Sequence, residues 1–429
     1  MPDLLVKNAT LPDGRTGMDI ACDKGKIIAV EPEIDAQAGE IVDAGGRLVS
    51  PPFIDPHFHM DATLSLGRPR MNVSGTLLEG IDLWGELKQV QTVDEIVARA
   101  IRYCDIAVSM GIGAIRTHVD TSCDDALKGV EALIEVRDLI KDYLTLQLVA
   151  FPQDGVFRAP KAWDNTVRAL DMGVDVVGGI PHFERTMADG ARSVTALLEL
   201  AAERGLQVDL HCDETDDPMS RHVELLAYET QRLGLQGRVA GSHLTSMHSM
   251  DNYYVSKLIP LMAEAGLHAI PNPLINIMIQ GRHDTYPKRR GLTRVRELRD
   301  AGITVGFGQD CMMDPWYSLG RADMLDVAAM GLHVGQLSSM EDMRWCFAAV
   351  TENSARILGL EGYGIHVGAN ADMVLLHARD TIEAIRLRAT RLAVIRAGKV
   401  IARTAPPVAH LDLLGRPDTV DPSFSPDAG

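Results

Sequence analysis

His57 and His59 sit two residues apart in Phe53-Ile54-Asp55-Pro56-His57-Phe58-His59-Met60-Asp61, at the close of an apolar run. Along a strand, residues i and i+2 point to the same side, so this pair suits two ligands of one divalent ion. A second apolar run, Val208-Asp209-Leu210-His211-Cys212-Asp213-Glu214, also ends in a histidine, with a carboxylate three positions later. A carboxyl group beside a metal-held water can take its proton and hand it to a bound ligand, which is general acid-base catalysis. Gln153 follows the run Val149-Ala150-Phe151-Pro152. Its amide carries an acceptor and two donors, enough to read a ligand edge that offers both a donor and an acceptor.

These residues share a context. Strand-like apolar runs ending at His57, His118, Gln153, His182, Glu214, Thr245, Pro273 and Asp310 alternate with helical patterns such as Val93 to Met110 and Ser193 to Gly205. Repetition of that unit predicts an α/β fold, a (β/α)8 TIM-type barrel, in which reactive side chains collect at the carboxyl ends of the strands. The catalytic barrel is placed at residues 51–364. Before it, short runs broken by turns at Pro12-Asp13-Gly14 and Asp23-Lys24-Gly25-Lys26 read as a meander, and the texture returns in Ala371 to Leu376 and Leu392 to Ala402. The two chain ends, 1–50 and 365–429, are expected to pair into one small β-sandwich domain. Beyond Thr404 the Pro- and Asp-rich segment reads as a loose tail or a latch onto another subunit.

The stretch around His57 and His59 resembles the first-strand signature of the amidohydrolase superfamily. Further pieces resemble bacterial cytosine deaminases: Ser74 to Ile81, Arg116-Thr117-His118-Val119-Asp120, Val149 to Gln153, His211 to Glu214, and Gln280-Gly281-Arg282 with Asp284 to Gly291. The resemblance runs through most of the chain. It implies His211 as the third imidazole ligand, Glu214 as the proton shuttle, and His243 as the residue that orients the attacking water. It also implies Asp310 as both metal ligand and proton acceptor. Gln153 matches the base-recognition glutamine, Trp316 an aromatic wall, and Leu78 an apolar contact. The fourth-strand region Val174 to His182 has no lysine to bridge two ions, so the resemblance implies one metal held by His57, His59, His211 and Asp310. Zinc and ferrous iron suit this donor set equally. His118 and His182 read as supporting or core histidines.

One position departs from the pattern. Where cytosine deaminases carry two successive aspartates after the eighth strand, this chain has Asp310-Cys311. A thiol is smaller than a carboxylate and normally uncharged, so the substrate is expected to be cytosine-like: cytosine, isocytosine or a creatinine-like ring that loses ammonia. Two rivals are an amidohydrolase that removes an alkylamine from a triazine, and a scaffold that kept the barrel without catalysis. The H-x-E with P-C-x-x-C signature of the other deaminase solution is absent.

Composition agrees with a small-molecule enzyme. The 429 residues are 46% hydrophobic and 24% charged, and 42 basic against 59 acidic side chains give a formal charge of −17. That charge repels a phosphate backbone, so no nucleic-acid partner is expected. No apolar run approaches the roughly 18 residues of a membrane span and no leader is evident, so neither a membrane partner nor export is expected, and the location is read as cytoplasmic. A homo-oligomer is the expected assembly. The six cysteines, Cys22, Cys104, Cys123, Cys212, Cys311 and Cys346, show no scaffold spacing and read as reduced thiols.

Overall fold

The computed structural model describes residues 1–122, 127–420 and 422. Cys123 lies outside them, and the other five cysteines are free and buried. The chain opens with β1 (Leu4–Ala9), β2 (Met18–Asp23), β3 (Lys26–Glu31) and β4 (Glu40–Asp43), arranged β3-β2-β1-β4. The β2–β3 connection is the two-residue turn Lys24-Gly25, both left-handed, the geometry that matches the twist of a hairpin. After β5 (Val49–Ser50) the chain enters the barrel.

The barrel consists of β6 (Phe53–Phe58), β7 (Ile112–Asp120), β8 (Thr145–Phe151), β9 (Val176–Gly179), β10 (Gln207–Cys212), β11 (Val239–His243), β12 (His268–Ile270) and β13 (Thr304–Val305). Each is hydrogen-bonded in parallel to the next. The ring closes beyond the short β13, where Phe58 and Asp310 form a parallel bridge. There the Asp310 amide donates to the His57 carbonyl at 2.8 Å, and the His59 amide donates to the Asp310 carbonyl at 3.0 Å. The backbone bonds that seal the barrel therefore also set the register of three candidate ligands.

Loop chemistry shifts several strand ends from their expected places. His118 falls inside β7, and Gln153 and Glu214 lie two residues beyond β8 and β10. His182 and Thr245 lie in short 3-10 helices, and Pro273 opens the helix Pro273–Ile279, where a residue without an N–H is tolerated. The helix expected from Ser193 begins at Met187, because Thr186 caps it through the Asp189 amide before the apolar periodicity starts. The helix from Val93 starts where expected, behind the reciprocal Thr92–Glu95 capping box.

β14 (Met373–Leu376), β15 (Arg391–Arg396) and β16 (Lys399–Arg403) form a second four-stranded sheet, ordered β16-β15-β14-β5, so β5 ties the N-terminal segment to the C-terminal one. Leu4, Val6, Ile20 and Ile27 of the first sheet share one buried core with Met373, Leu375, Ala393 and Ile395 of the second. Past Arg403 the described tail is largely exposed, including a two-residue ribbon that pairs Ala409–His410 with Thr419–Val420. Among the described residues no helix is long and apolar enough to cross a membrane.

Gly308 lies at the barrel seam. A Cβ there would stand 2.7 Å from the His57 Cβ and would collide with the Asn272 side-chain oxygen. Gly308→Ala is expected to cost about 1–3 kcal/mol of stability through overpacking, read as a lower urea midpoint at unchanged slope. An unaltered midpoint would show that the seam relaxes freely.

Candidate active site

Three imidazoles and one carboxylate converge at the barrel mouth. His59 Nε2 lies 3.0 Å from His211 Nε2, and Asp310 Oδ1 lies 3.4 Å from His59 Nε2 and 3.7 Å from His57 Nε2. All four residues are buried. Ligand nitrogens about 2.0–2.1 Å from one tetrahedral ion stand roughly 3.3 Å apart, close to these spacings. Among the described residues, buried His57 Nε2 meets no hydrogen-bond partner, while His57 Nδ1 is engaged by Ser242 Oγ at 2.9 Å. Burial pushes His57, His59 and His211 well below the ordinary histidine range, and neighbouring imidazoles add to the effect. The rings are thus neutral, the form that ligates metal. Two overlapping groups, His57–His59–Asp310 and Glu214–His243–Asp310, are compact enough to hold an ion, as is His57–His118–His211 beneath them. An orphaned buried nitrogen among neutral donors fits a divalent cation.

The backbone leaves the strands abruptly to aim these groups. Asp213, His243 and Asp310 all adopt left-handed φ, of 53°, 68° and 72°, a conformation costly for non-glycine residues and concentrated at functional sites. Asp213 is held by bonds from Ser220 Oγ at 2.6 Å and the Val223 amide at 2.9 Å, and its Oδ1 lies 2.8 Å from His222 Nδ1. That buried anchor turns the chain so that Glu214 enters the cavity. Glu214 Oε1 lies 3.2 Å from His243 Nδ1. Burial, reinforced by Asp310, pushes the Glu214 carboxyl well above the usual range, and burial with Asp314 does the same to Asp310. Carboxyls so placed can carry a proton at neutral pH.

Sequence reasoning missed two residues that hold His243. Asn276 Oδ1 accepts from the Asn272 amide at 3.0 Å, which turns Asn276 Nδ2 toward His243 Nδ1 at 2.9 Å, and Asn272 Nδ2 approaches the same ring at 3.3 Å. Their signal was available in part, since Asn272 follows a barrel strand at its carboxyl end. Nothing local marks Asn276.

The cavity above these groups is lined by His59, His211, Glu214, His243 and Asp310, with Gln153, Cys311 and Trp316 beside them and Leu77, Ile275 and Ile279 completing the apolar walls. Trp316 packs against His59, ring centroids 5.8 Å apart, and against Trp84 at 5.9 Å. Its loop is pinned by Asp314 Oδ1, which accepts from the amides of Trp316 and Tyr317 at 3.0 and 2.9 Å. Cys311 Sγ lies 3.4 Å from Asp310 Oδ1. Burial, then the Asp310 and Asp314 carboxylates, push its thiol well up, so it stays neutral. Leu78 needs correction: it is 65% exposed, and Leu77 lines the cavity instead. Successive residues on a helix are turned by about 100°, so the two leucines at the start of the helix Leu77–Val90 face different ways. His118 lies beneath the ligand set, 4.1 Å from His57 and 4.7 Å from His211 between ring centroids, and His182 is not among the cavity-lining residues.

Residues 40–403 match the amidohydrolase family, and the chain belongs to it. It is a hydrolase acting on carbon–nitrogen bonds other than peptide bonds. The 5-methylcytosine deaminase of Klebsiella pneumoniae, solved with phosphonocytosine, superposes with a TM-score of 0.92 at 41% identity over 95% of this chain and 100% of that one. The N-isopropylammelide isopropyl amidohydrolase of Pseudomonas sp. strain ADP is 30% identical over 94% of this chain and 97% of its own length. The pterin deaminase of Rhizobium rhizogenes is 30% identical over 95% and 96%.

Two expectations follow. The purified protein should carry about one divalent ion per chain, because the compact donor groups overlap at His57 and Asp310 and the segment Val174 to His182 holds no lysine to bridge two ions; elemental analysis showing two ions needed for full activity would contradict this. At Gly80 a Cβ would overlap the Trp316 ring. Gly80→Ala should therefore raise KM several-fold while leaving metal content unchanged, and an unchanged KM would remove Trp316 from the substrate wall.

Proposed function

We propose that this hydrolase is a metal-dependent deaminase of cytosine-like rings, with 5-substituted cytosines as its best substrates and ammonia as the leaving group. One observation carries the reading: a buried, raised carboxyl, Glu214, faces neutral imidazoles across a cavity that the Gln153 amide and the neutral Cys311 thiol also line. A divalent ion, zinc or ferrous iron, held by His57, His59, His211 and Asp310 would acidify water and polarise the carbon under attack.

The chain's own groups supply the rest. Gln153 reads the N–C=O edge and fixes the ring in its plane, with Trp316 as its wall. Glu214 passes its proton to the ring nitrogen beside the amine-bearing carbon, which makes that carbon electrophilic. Asp310 takes a proton from the attacking water, and His243, held by Asn276, orients it. The new C–O bond forms, Asp310 passes the proton it took to the amine, the C–N bond breaks and ammonia leaves, and the hydroxyl proton returns to Glu214 as the carbonyl forms, so one water is consumed for each ammonia released.

Cys311 favours the 5-substituted ring. It packs with Ala62, Trp84, Ile275, Trp316 and Tyr317 in an apolar cluster beside the cavity. A small neutral thiol leaves room for a substituent next to the amine-bearing carbon, where an aspartate would place charge. The Klebsiella relative, named for 5-methylcytosine and also solved with 5-fluorocytosine, supports the same choice. The ammelide relative supports a second reading, alkylamine removal from a triazine.

The test is release of ammonia, against release of alkylamine, from 5-methylcytosine, 5-fluorocytosine, cytosine, isocytosine, creatinine and N-isopropylammelide. Highest kcat/KM for a 5-substituted cytosine is expected; isopropylamine as the dominant product would move the assignment to the triazine reading. Cys311→Asp should shift the cytosine to 5-methylcytosine ratio of kcat/KM about ten-fold toward cytosine, the size of one buried polar contact. Glu214→Gln should retain metal and lose about 100- to 10,000-fold in kcat, because an amide cannot shuttle a proton. Near-normal turnover would remove Glu214 from the chemistry.

A further inference from the structure

Below the candidate ligands, a polar chain crosses the barrel interior where apolar packing is the rule. Arg116, on β7, is almost fully buried and its Nη1 lies 3.2 Å from Asp209 Oδ2 on β10. The other Asp209 oxygen accepts from Ser242 Oγ at 2.6 Å, and Ser242 Oγ lies 2.9 Å from His57 Nδ1. Asp209 and Ser242 have no exposed surface. An arginine stays cationic in a protein, so its partner is a carboxylate that can only accept. Ser242 has one proton and gives it to Asp209. Its lone pair is what remains for His57, and His57 Nδ1 must therefore be the donor.

We infer that the Arg116–Asp209–Ser242 chain locks His57 as the Nδ1–H tautomer and so keeps the Nε2 lone pair turned toward the metal site. The inference rests on the metal reading above only for its consequence; the tautomer itself is a property of the chain without metal. Asp209 and Ser242 are positioning residues, acting through His57 and touching no substrate. Partners of this kind usually change metal affinity by 10–100-fold.

Two substitutions make opposite changes to the chain. Ser242→Ala removes the relay and leaves His57 free to exchange tautomers. Asp209→Asn keeps shape but reverses the direction: the new amide oxygen faces Arg116, its NH2 donates to Ser242, and Ser242 then donates to His57 Nδ1. The proton moves to Nε2 and blocks the ligand position. Zinc affinity of the metal-stripped protein, measured by chelator competition, should fall 10–100-fold in Ser242→Ala and further in Asp209→Asn, with Ser242→Thr recovering most of it. In parallel, 15N spectra of histidine-labelled apo protein, assigned with His57→Gln, should show His57 as Nδ1–H in the parent and as Nε2–H in Asp209→Asn. Unchanged affinity, or an unchanged His57 tautomer in both folded variants, overturns the inference. A parent protein that shows the Nδ1–H tautomer yet binds no zinc upholds the lock and overturns the metal reading instead.

Discussion

The parallel bridge between Phe58 and Asp310 is the constraint on which the rest of the molecule depends. A parallel barrel leaves no free edge only if its first and last strands meet, and here the last regular strand stops at Val305, short of the mouth. Closure is left to the extended segment Gly306 to Asp310, whose terminal residue makes both rungs to His57 and His59. Because those rungs are backbone bonds, the spacing of the three side chains is set by peptide geometry, and the side chains need no contacts of their own to hold register. The left-handed φ of Asp310 is the local cost of turning its carboxylate inward at the end of the segment.

Burial then converts that geometry into chemistry. Imidazoles crowded into a buried space stay neutral, because each positive charge would be desolvated and would repel its neighbours. The same burial raises the carboxyl of Glu214, so one environment prepares the imidazoles as bases and the shuttle as an acid. Asp61 and Asp55, both buried close by and each pushed up to about 7, show how far the effect extends. Beside the cavity, the helix Leu77–Val90 buries Trp84 and Leu87 in one apolar cluster with Ile275, Ile279 and Trp316. Its position is fastened by buried Lys88, whose Nζ lies 3.0 Å from Asp120 and 2.5 Å from Asp154, and by the Trp84 indole N–H on the same Asp120 oxygen at 2.7 Å.

The sequence by itself determined the donor types and much of the scaffold. Two imidazoles at strand spacing, the His211-to-Glu214 step, the Thr92–Glu95 cap and the alternation of apolar runs with helical patterns are encoded within a few residues each, and local geometry reads them directly. The seam was partly visible, since Asp310 ends an extended run, although the run's failure to pair as a regular strand was not. Tertiary structure alone decided which wall each apolar residue joins: Leu77 and Leu78 have the same composition and propensity, and only the docking angle of their helix puts one in the cavity and the other in solvent. It alone brought Asn272 and Asn276 to His243, and Arg116, Asp209 and Ser242 into one chain beneath His57. Period and capping are short-range properties of neighbouring residues, whereas these meetings join residues 29 or more positions apart, and packing of the closed barrel selects them.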